Sequence, residues 1–180
     1  MTATVREANP TLAQIYEAEV SFVWKSLRRL GVPEADLEDV THDLFIAVQK
    51  KLPDLDPARP VRPWLFGFAY RFASDYRRSG RARRERLEDV GEVADSSPTA
   101  DEKLSTREAH ALILAGLEAL TLDARAVFVM HDLDGCSMPE IAEVLGVGLN
   151  TLYSRLRLAR ARFTDAVRQL QKEAPGDVRR

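Results

Sequence analysis

The sequence predicts an all-α chain, built as two small helical modules joined by a flexible acidic linker. Three observations carry that expectation. Apolar residues recur at spacings of three and four along almost every patterned segment, and the period-two alternation of a strand is absent. Composition changes sharply over residues 87–106, where acids, Gly and Pro replace aromatics. Gly and Pro punctuation cuts the remainder into helix-length pieces. With 180 residues, 45% apolar and 30% charged, the chain can bury either one ordinary core or two small ones.

The first helix is expected from near Leu12 to Leu30. Gly31-Val32-Pro33 closes it, since Gly just past a helix end followed by Pro is a stop signal. A second runs from about Pro33 to Leu52, with Leu37, Val40, Leu44, Phe45 and Val48 on its apolar side. The segment PDLDPARPVRP holds four prolines and reads as a loop. A third helix starts near Pro63, a residue favoured in a first turn. Its apolar face is Trp64, Leu65, Phe68, Ala69, Phe72, Ala73 and Tyr76, with Gly67, Arg71, Ser74, Arg78 and Arg81 opposite. It ends in the basic run RRSGRARRER.

Helices resume at about Arg107–Leu120, Leu122–Leu133, Met138–Leu145 and Leu149–Glu173. The modules are therefore residues 1–86 and 107–173, with 87–106 as linker and 174–180 as a frayed tail.

The most informative stretch is Met138–Phe163. Ser137 can cap a short helix, with Glu140 completing a capping box. Gly146-Val147-Gly148 is a tight connection of the kind that joins two helices at a steep angle, with Val147 filling the crossing. In the helix that follows, Leu149, Leu152, Leu156, Ala159 and Phe163 form a narrow apolar stripe. Asn150, Thr151, Ser154, Arg157 and Leu158 lie opposite, and Arg155 and Arg162 flank them. Two readings fit. One is a helix-turn-helix whose second helix enters the major groove while flanking cations grip phosphates. The other is an ordinary helical hairpin with a solvated arginine face. The formal net charge of −2 does not itself point to nucleic acid; the local concentration of arginines does.

LEALTLDARAVFVMHDLDGCSMPEIAEVLGVGLNTLYSRLRLARARF resembles region 4 of bacterial sigma factors, and most closely the extracytoplasmic-function group of the sigma-70 family. The residues carrying the likeness are Leu117-Glu118-Ala119-Leu120, Asp134-Gly135, Glu140-Ile141-Ala142, Ser154-Arg155-Leu156 and Ala159-Arg160. Asp36–Leu52 resembles region 2.2 of the same family, and Arg62–Arg81 resembles regions 2.3 and 2.4. The resemblance implies a three-to-four-helix bundle for region 2 and a helix-turn-helix for region 4. It implies partners as well: core RNA polymerase through the β′ clamp and β flap, promoter DNA, and an anti-sigma factor.

Carried over residue by residue, the resemblance places Asn150, Thr151, Tyr153, Ser154, Arg155, Arg157, Leu158 and Arg162 at the −35 element. It places Leu55, Ala58, Trp64, Arg71, Ser74, Arg77, Arg78 and Arg81 at the −10 element, with Leu55 and Ala58 lining the pocket for a flipped base. Asp36, Asp39, Val40, His42, Asp43, Phe45 and Gln49 are expected to meet core polymerase. The residues themselves agree with these roles. An acidic second helix suits a basic protein partner, though it equally suits a solvated face. Arginines beside aromatics suit melted DNA, though Trp64 equally suits a core. The sequence departs from the family pattern at Arg71, where relatives often carry Asn, and at Asn150, Tyr153 and Leu158, which replace a frequent Gly, a Lys or Arg, and an Arg. These departures bear on which promoter is read. An exposed Leu158 could touch a thymine methyl.

Competing classes find less support. His42-Asp43 and His131-Asp132 are sequence neighbours, His110 stands alone, and HxxxH, CxxC and Gly-rich phosphate loops are missing. No catalytic, metal or cofactor site and no small-molecule substrate is expected. The single Cys136 excludes an internal disulfide and reads as a small buried residue. With no signal-peptide pattern and no run of about 20 apolar residues, a cytoplasmic protein without membrane insertion is expected. The remaining alternative is a helix-turn-helix transcriptional regulator that never binds core polymerase.

Overall fold

The computed structural model describes residues 10–86 and 104–173, with residues 81–86 and 104–107 described by their backbone. Regular structure among these residues is entirely helical. The chain divides into two compact units, Met1–Arg86 and Leu87–Arg180. Most of the expected linker, residues 87–103, lies outside the described residues, as does the expected tail, 174–180.

In the first unit, α1 spans Leu12–Arg29 and starts with a capping box. Gln14 donates its backbone N–H to Thr11 Oγ1 at 3.3 Å, and Thr11 donates its own to Gln14 Oε1 at 2.8 Å. The helix ends as the Gly-Pro signal predicts. Gly31 adopts φ 95, donating to Arg28 O at 3.0 Å, and Val32 donates to Leu27 O at 3.1 Å. This double bond to the last turn requires a left-handed residue, and glycine takes that conformation without a Cβ clash. Val32 and Leu27 are both buried.

Helix α2 spans Leu37–Lys51, four residues shorter at its start than expected, because a 3-10 turn occupies Glu34–Asp36. Glu38 and Asp39 in its first turn and Lys50 and Lys51 in its last complement the helix dipole. A second 3-10 turn, Leu52–Asp54, opens the proline-rich connection. Helix α3, Val61–Arg86, begins two residues before Pro63. Pro63 thus sits inside the first turn, where a missing N–H leaves no bond unmade.

Helix α3 packs against both α1 and α2. That explains why Leu65–Ala69 is buried without a break, including Gly67, which the helical wheel had put on the outer side. Leu27, Leu30, Leu37, Leu44, Leu65 and Phe66 are fully buried in the core of this unit.

In the second unit, α4 spans Leu104–Glu118, beginning three residues earlier than expected. Helix α5, Leu122–Phe128, continues into a wider π turn at Val129–Leu133, where Asp134 donates to Val129 O at 2.9 Å. Helix α6 spans Met138–Leu145, and α7 spans Leu149–Glu173. Ala124–Met130 is buried continuously, so this segment is the centre of the unit. Helix α7 lies across α4, α5 and α6. Its Phe163 ring meets Phe128 at 4.7 Å between centroids. Among the described residues, no helix is long and apolar enough to cross a membrane.

Candidate nucleic-acid interface

The turn between α6 and α7 is built by three local devices. Ser137 Oγ accepts from Glu140 N–H, while Glu140 Oε2 accepts from Ser137 N–H at 2.8 Å. The Ser137 hydroxyl also donates to Glu140 Oε2 at 2.6 Å, and this bond first, with the Ser137 N–H second, holds the Glu140 carboxyl below the usual carboxylate range. At the other end Gly146 takes φ 66, and Val147 donates to Ala142 O at 3.2 Å. Gly148 O then accepts from Thr151 and Leu152 at 3.0 and 3.1 Å, which starts α7 immediately. Three residues therefore connect the two helices, and Val147 is half-buried in the turn.

Leu152, Leu156 and Ala159 are the buried stripe of α7, with Phe163 half-buried beyond them. Asn150, Thr151, Tyr153, Ser154, Arg157, Leu158 and Arg162 are exposed together on the other side. Leu149 was expected in the stripe but is 44% exposed, because it is the first residue of the helix and projects past the end of the packed face. Tyr153 and Leu158 are 58% and 46% exposed, an unusual display of large apolar surface on a charged helix.

The four arginines of this stretch divide into two pairs. Arg155 is half-buried and its Nη2 donates to Asp123 Oδ2 at 2.7 Å. Arg160 makes a two-pronged contact with Asp132, Nε to Oδ2 at 2.8 Å and Nη2 to Oδ1 at 2.6 Å. The Asp132 carboxyl is held below its ordinary range, chiefly by the Arg160 hydrogen bonds against an opposing cost of burial, with His131 Nδ1 adding a contact at 2.7 Å. Arg157 and Arg162 have no ion pair among the described residues.

In the first unit, Trp64, Phe68, Arg71, Asp75 and Arg78 follow one another at alternating spacings of four and three, forming a single ridge along α3. Trp64 meets Phe68 edge-on at 4.9 Å, and the Arg71 guanidinium sits 5.9 Å from the Phe68 centroid. Asp75 and Arg78 are ion-paired. Arg77 is exposed, Ser74 is half-buried, and the side chain of Arg81 lies outside the described residues. On α2, Glu38, Asp39, His42, Asp43, Ile46 and Gln49 are exposed. Among the described residues, no group of His, Cys, Asp and Glu is arranged to hold a metal ion.

Family comparison matches both units. The Sigma-70 region 2 family matches residues 15–84, and the Sigma-70, region 4 family matches residues 110–163. RNA polymerase sigma factor CnrH of Cupriavidus metallidurans is 34% identical over 148 residues, covering 78% of this chain and 78% of its own. ECF RNA polymerase sigma factor SigL of Mycobacterium tuberculosis is 30% identical over 151 residues, covering 81% of this chain and 82% of its own. The chain is an extracytoplasmic-function sigma factor of the sigma-70 family. A solved structure of CnrH in complex with the cytosolic domain of CnrY has a TM-score of 0.62 and 27% sequence identity, covering 91% of this chain and 89% of that one. As a sigma factor, the protein directs RNA polymerase to promoters, and the competing reading as a polymerase-independent regulator finds no support in these likenesses.

Two expected site residues of the sigma factor, Phe45 and Leu55, are placed differently from their sequence roles. Phe45 is 5% exposed and stacks edge-on with Tyr16 at 4.8 Å, so it belongs to the core and offers no surface to polymerase. Leu55 is also buried, because the 3-10 turn before it folds it inward. It cannot line an open pocket. Ala58, by contrast, is exposed in a tight turn fixed by its N–H to Asp56 Oδ1 at 3.0 Å. Asp36 and Val40 are half-buried, and Tyr76 occupies the Asp36 carboxylate.

Sequence reasoning missed two further features of the sigma factor. Ile46, 40% exposed, lies one turn along from His42 and Asp43, and its i+3 and i+4 spacing to those residues was the available signal. Asp123 and Asp132 gave no such signal, since their partners are remote in sequence.

Proposed function

We infer that the sigma factor recognises its promoters through two surfaces and engages core polymerase through a third. The exposed row Asn150, Thr151, Tyr153, Ser154, Arg157, Leu158 and Arg162 enters the major groove of the −35 element. The α3 ridge of Trp64, Arg71 and Arg78 meets the melted −10 element, with Arg77 exposed on another side of the same helix. The exposed acids Asp39 and Asp43, with His42, Ile46 and Gln49, dock on the β′ clamp, while the region 4 unit meets the β flap. The protein acts in the cytoplasm as a non-enzymatic initiation factor. An anti-sigma protein covers one or more of these surfaces; the relative CnrH has been solved in complex with the cytosolic domain of CnrY.

The observation that carries this reading is the two-sidedness of α7. Its apolar stripe is wholly used in packing, while short hydrogen-bonding side chains and two uncommitted arginines share the outer face beside the turn. Short polar groups in the first turns can reach base edges, and flanking cations can reach phosphates. A solvated hairpin has no need for Tyr153 and Leu158 on that face, whereas thymine methyl groups offer them an apolar partner.

The test is reconstitution with core polymerase, followed by transcription from promoters mapped after overexpression. Asp39→Arg with Asp43→Arg should reduce core binding with little change in thermal stability, because both residues are exposed. Arg157→Ala should cost about 1–3 kcal/mol on the preferred −35 sequence and relax specificity there. A protein that regulates transcription by binding DNA without ever associating with core polymerase would overturn the reading.

A further inference from the structure

Arg155 and Arg160 sit on opposite edges of the buried stripe of α7. They are five residues apart, which places them about 140° apart around the helix axis at roughly 100° per residue. Leu152, Leu156 and Ala159 lie in the arc between them. Each arginine is tied to a carboxylate on the α5 segment, Arg155 to Asp123 near its start and Arg160 to Asp132 in the π turn. An apolar stripe alone fixes how deeply a helix is seated but resists rotation about its own axis weakly, because dispersion contacts are non-directional. Paired charge-assisted hydrogen bonds are directional, and a two-pronged guanidinium–carboxylate contact fixes both distance and plane.

We propose that Asp123 and Asp132 are positioning residues for promoter recognition: through Arg155 and Arg160 they lock the rotation of α7 and so decide which side chains face the DNA bases. This rests on the promoter-reading role of α7. It removes Arg155 from the set of phosphate grips and leaves that work to Arg162, with Arg157 free to read bases. The π turn is part of the device, since it carries Asp132, whose Oδ1 also contacts His131. The side chain of Asp132 is 19% exposed, so its bonds to Arg160 are partly sheltered from water. Neither acid touches DNA in this scheme. Each acts through the arginine that it holds.

The test uses the full chain assembled with core polymerase. Its probes are a −35 duplex enriched from a randomised library by the unaltered holoenzyme, and a scrambled duplex of the same composition. Affinities are measured at several salt concentrations, well below the melting temperature. Asp132→Asn and Arg160→Gln should each lower the ratio of enriched to scrambled affinity by about two- to fivefold, the scale of a partly exposed ion pair. Their combination should be no worse than either alone. Asp123→Asn should act in the same direction through the other edge. Arg160→Gln should leave the salt slope unchanged, and Arg160→Lys, which keeps the charge but loses the fork, should not restore the ratio.

Contrary results are equally definite. If Arg160→Gln weakens both duplexes alike and lowers the salt slope by about one, Arg160 is a phosphate grip and the proposal falls. If Asp132→Asn strengthens both duplexes with the ratio unchanged, Asp132 is only a repelling charge. If the variants lose thermal stability but keep the ratio, the ion pairs are merely structural. An unaltered holoenzyme that enriches no duplex at all would remove the promoter-reading role itself, and the proposal with it.

Discussion

Tyr76 donates its hydroxyl proton to Asp36 Oδ2 at 2.5 Å, joining the middle of α3 to the residue that precedes α2. The bond links the helix that carries the ridge proposed to meet melted DNA with the start of the helix proposed to meet polymerase. It also takes Asp36 out of the freely available acids of that surface. Tyr76→Phe should therefore destabilise the first unit by about 1–2 kcal/mol, the range for a hydrogen bond to a charged acceptor that is partly exposed. Urea denaturation checks this, and Asp36→Asn, which keeps an acceptor oxygen, should cost less.

Gly116 in α4 stands where the helix comes closest to α7. A Cβ there would lie 2.7 Å from Phe163 Cε2 and 2.9 Å from Val167 Cγ2. The Phe163 ring is backed by Phe128 and has little room to retreat. Overpacking of this kind costs about 1–3 kcal/mol, while the gain in helix propensity from Gly to Ala returns up to about 1 kcal/mol. Gly116→Ala should therefore be mildly destabilising and Gly116→Val clearly so. Thermal melting of the full chain should show the loss in the second unit, with the first unaffected. A melting temperature that rises on either substitution would mean that the helices separate without penalty.

The lowered pKa of Asp132 gives a pH dependence with a definite sign. Arg160 favours the carboxylate in the folded state, so the unfolded chain binds the proton more tightly. The stabilisation is fully present above about pH 4, the ordinary carboxylate value. It is lost as pH falls through the lower folded value. Asp132→Asn should remove that part of the acid limb and leave the neutral-to-mildly-alkaline profile with the same shape. Denaturant midpoints measured across this range for both proteins decide it: identical acid limbs would mean that the pair does not survive in solution.

Cys136 should be slow to alkylate. Burial first, then the nearby Asp134 and Glu140 carboxylates, push its thiol up to about 11. Because the thiolate is the reactive form, very little is available at neutral pH. Reaction with a disulfide reagent should lag far behind a free thiol and accelerate on unfolding in denaturant. Rapid native modification would contradict the placement.

What the sequence disclosed follows from which interactions are local. The Ser137–Glu140 cap, the Gly31 stop and the Leu152–Leu156–Ala159 stripe each depend on residues within a few positions, so spacing alone revealed them. Phe45 and Leu55 were assigned by their place in a resembling motif, and burial in this chain overrides that assignment. Gly67 looked outward on a wheel because a wheel knows one packed face, whereas α3 is covered by two helices. The Arg155–Asp123 and Arg160–Asp132 pairs join residues brought together only by the tertiary fold. No periodicity could announce them.

The turn at Val129–Leu133 contains one residue more than a regular α-helical turn requires. Excising His131, which follows the buried Val129 and Met130, would let the helix close into standard geometry and would swing Asp132 about 100° away from Arg160. The buried run Ala124–Met130 would keep its register, so the damage would fall on the aim of a different helix and spare the hydrophobic interior. Chain length at this spot thus carries information that residue identity does not: a substitution leaves Asp132 pointing at its partner, whereas a deletion redirects it.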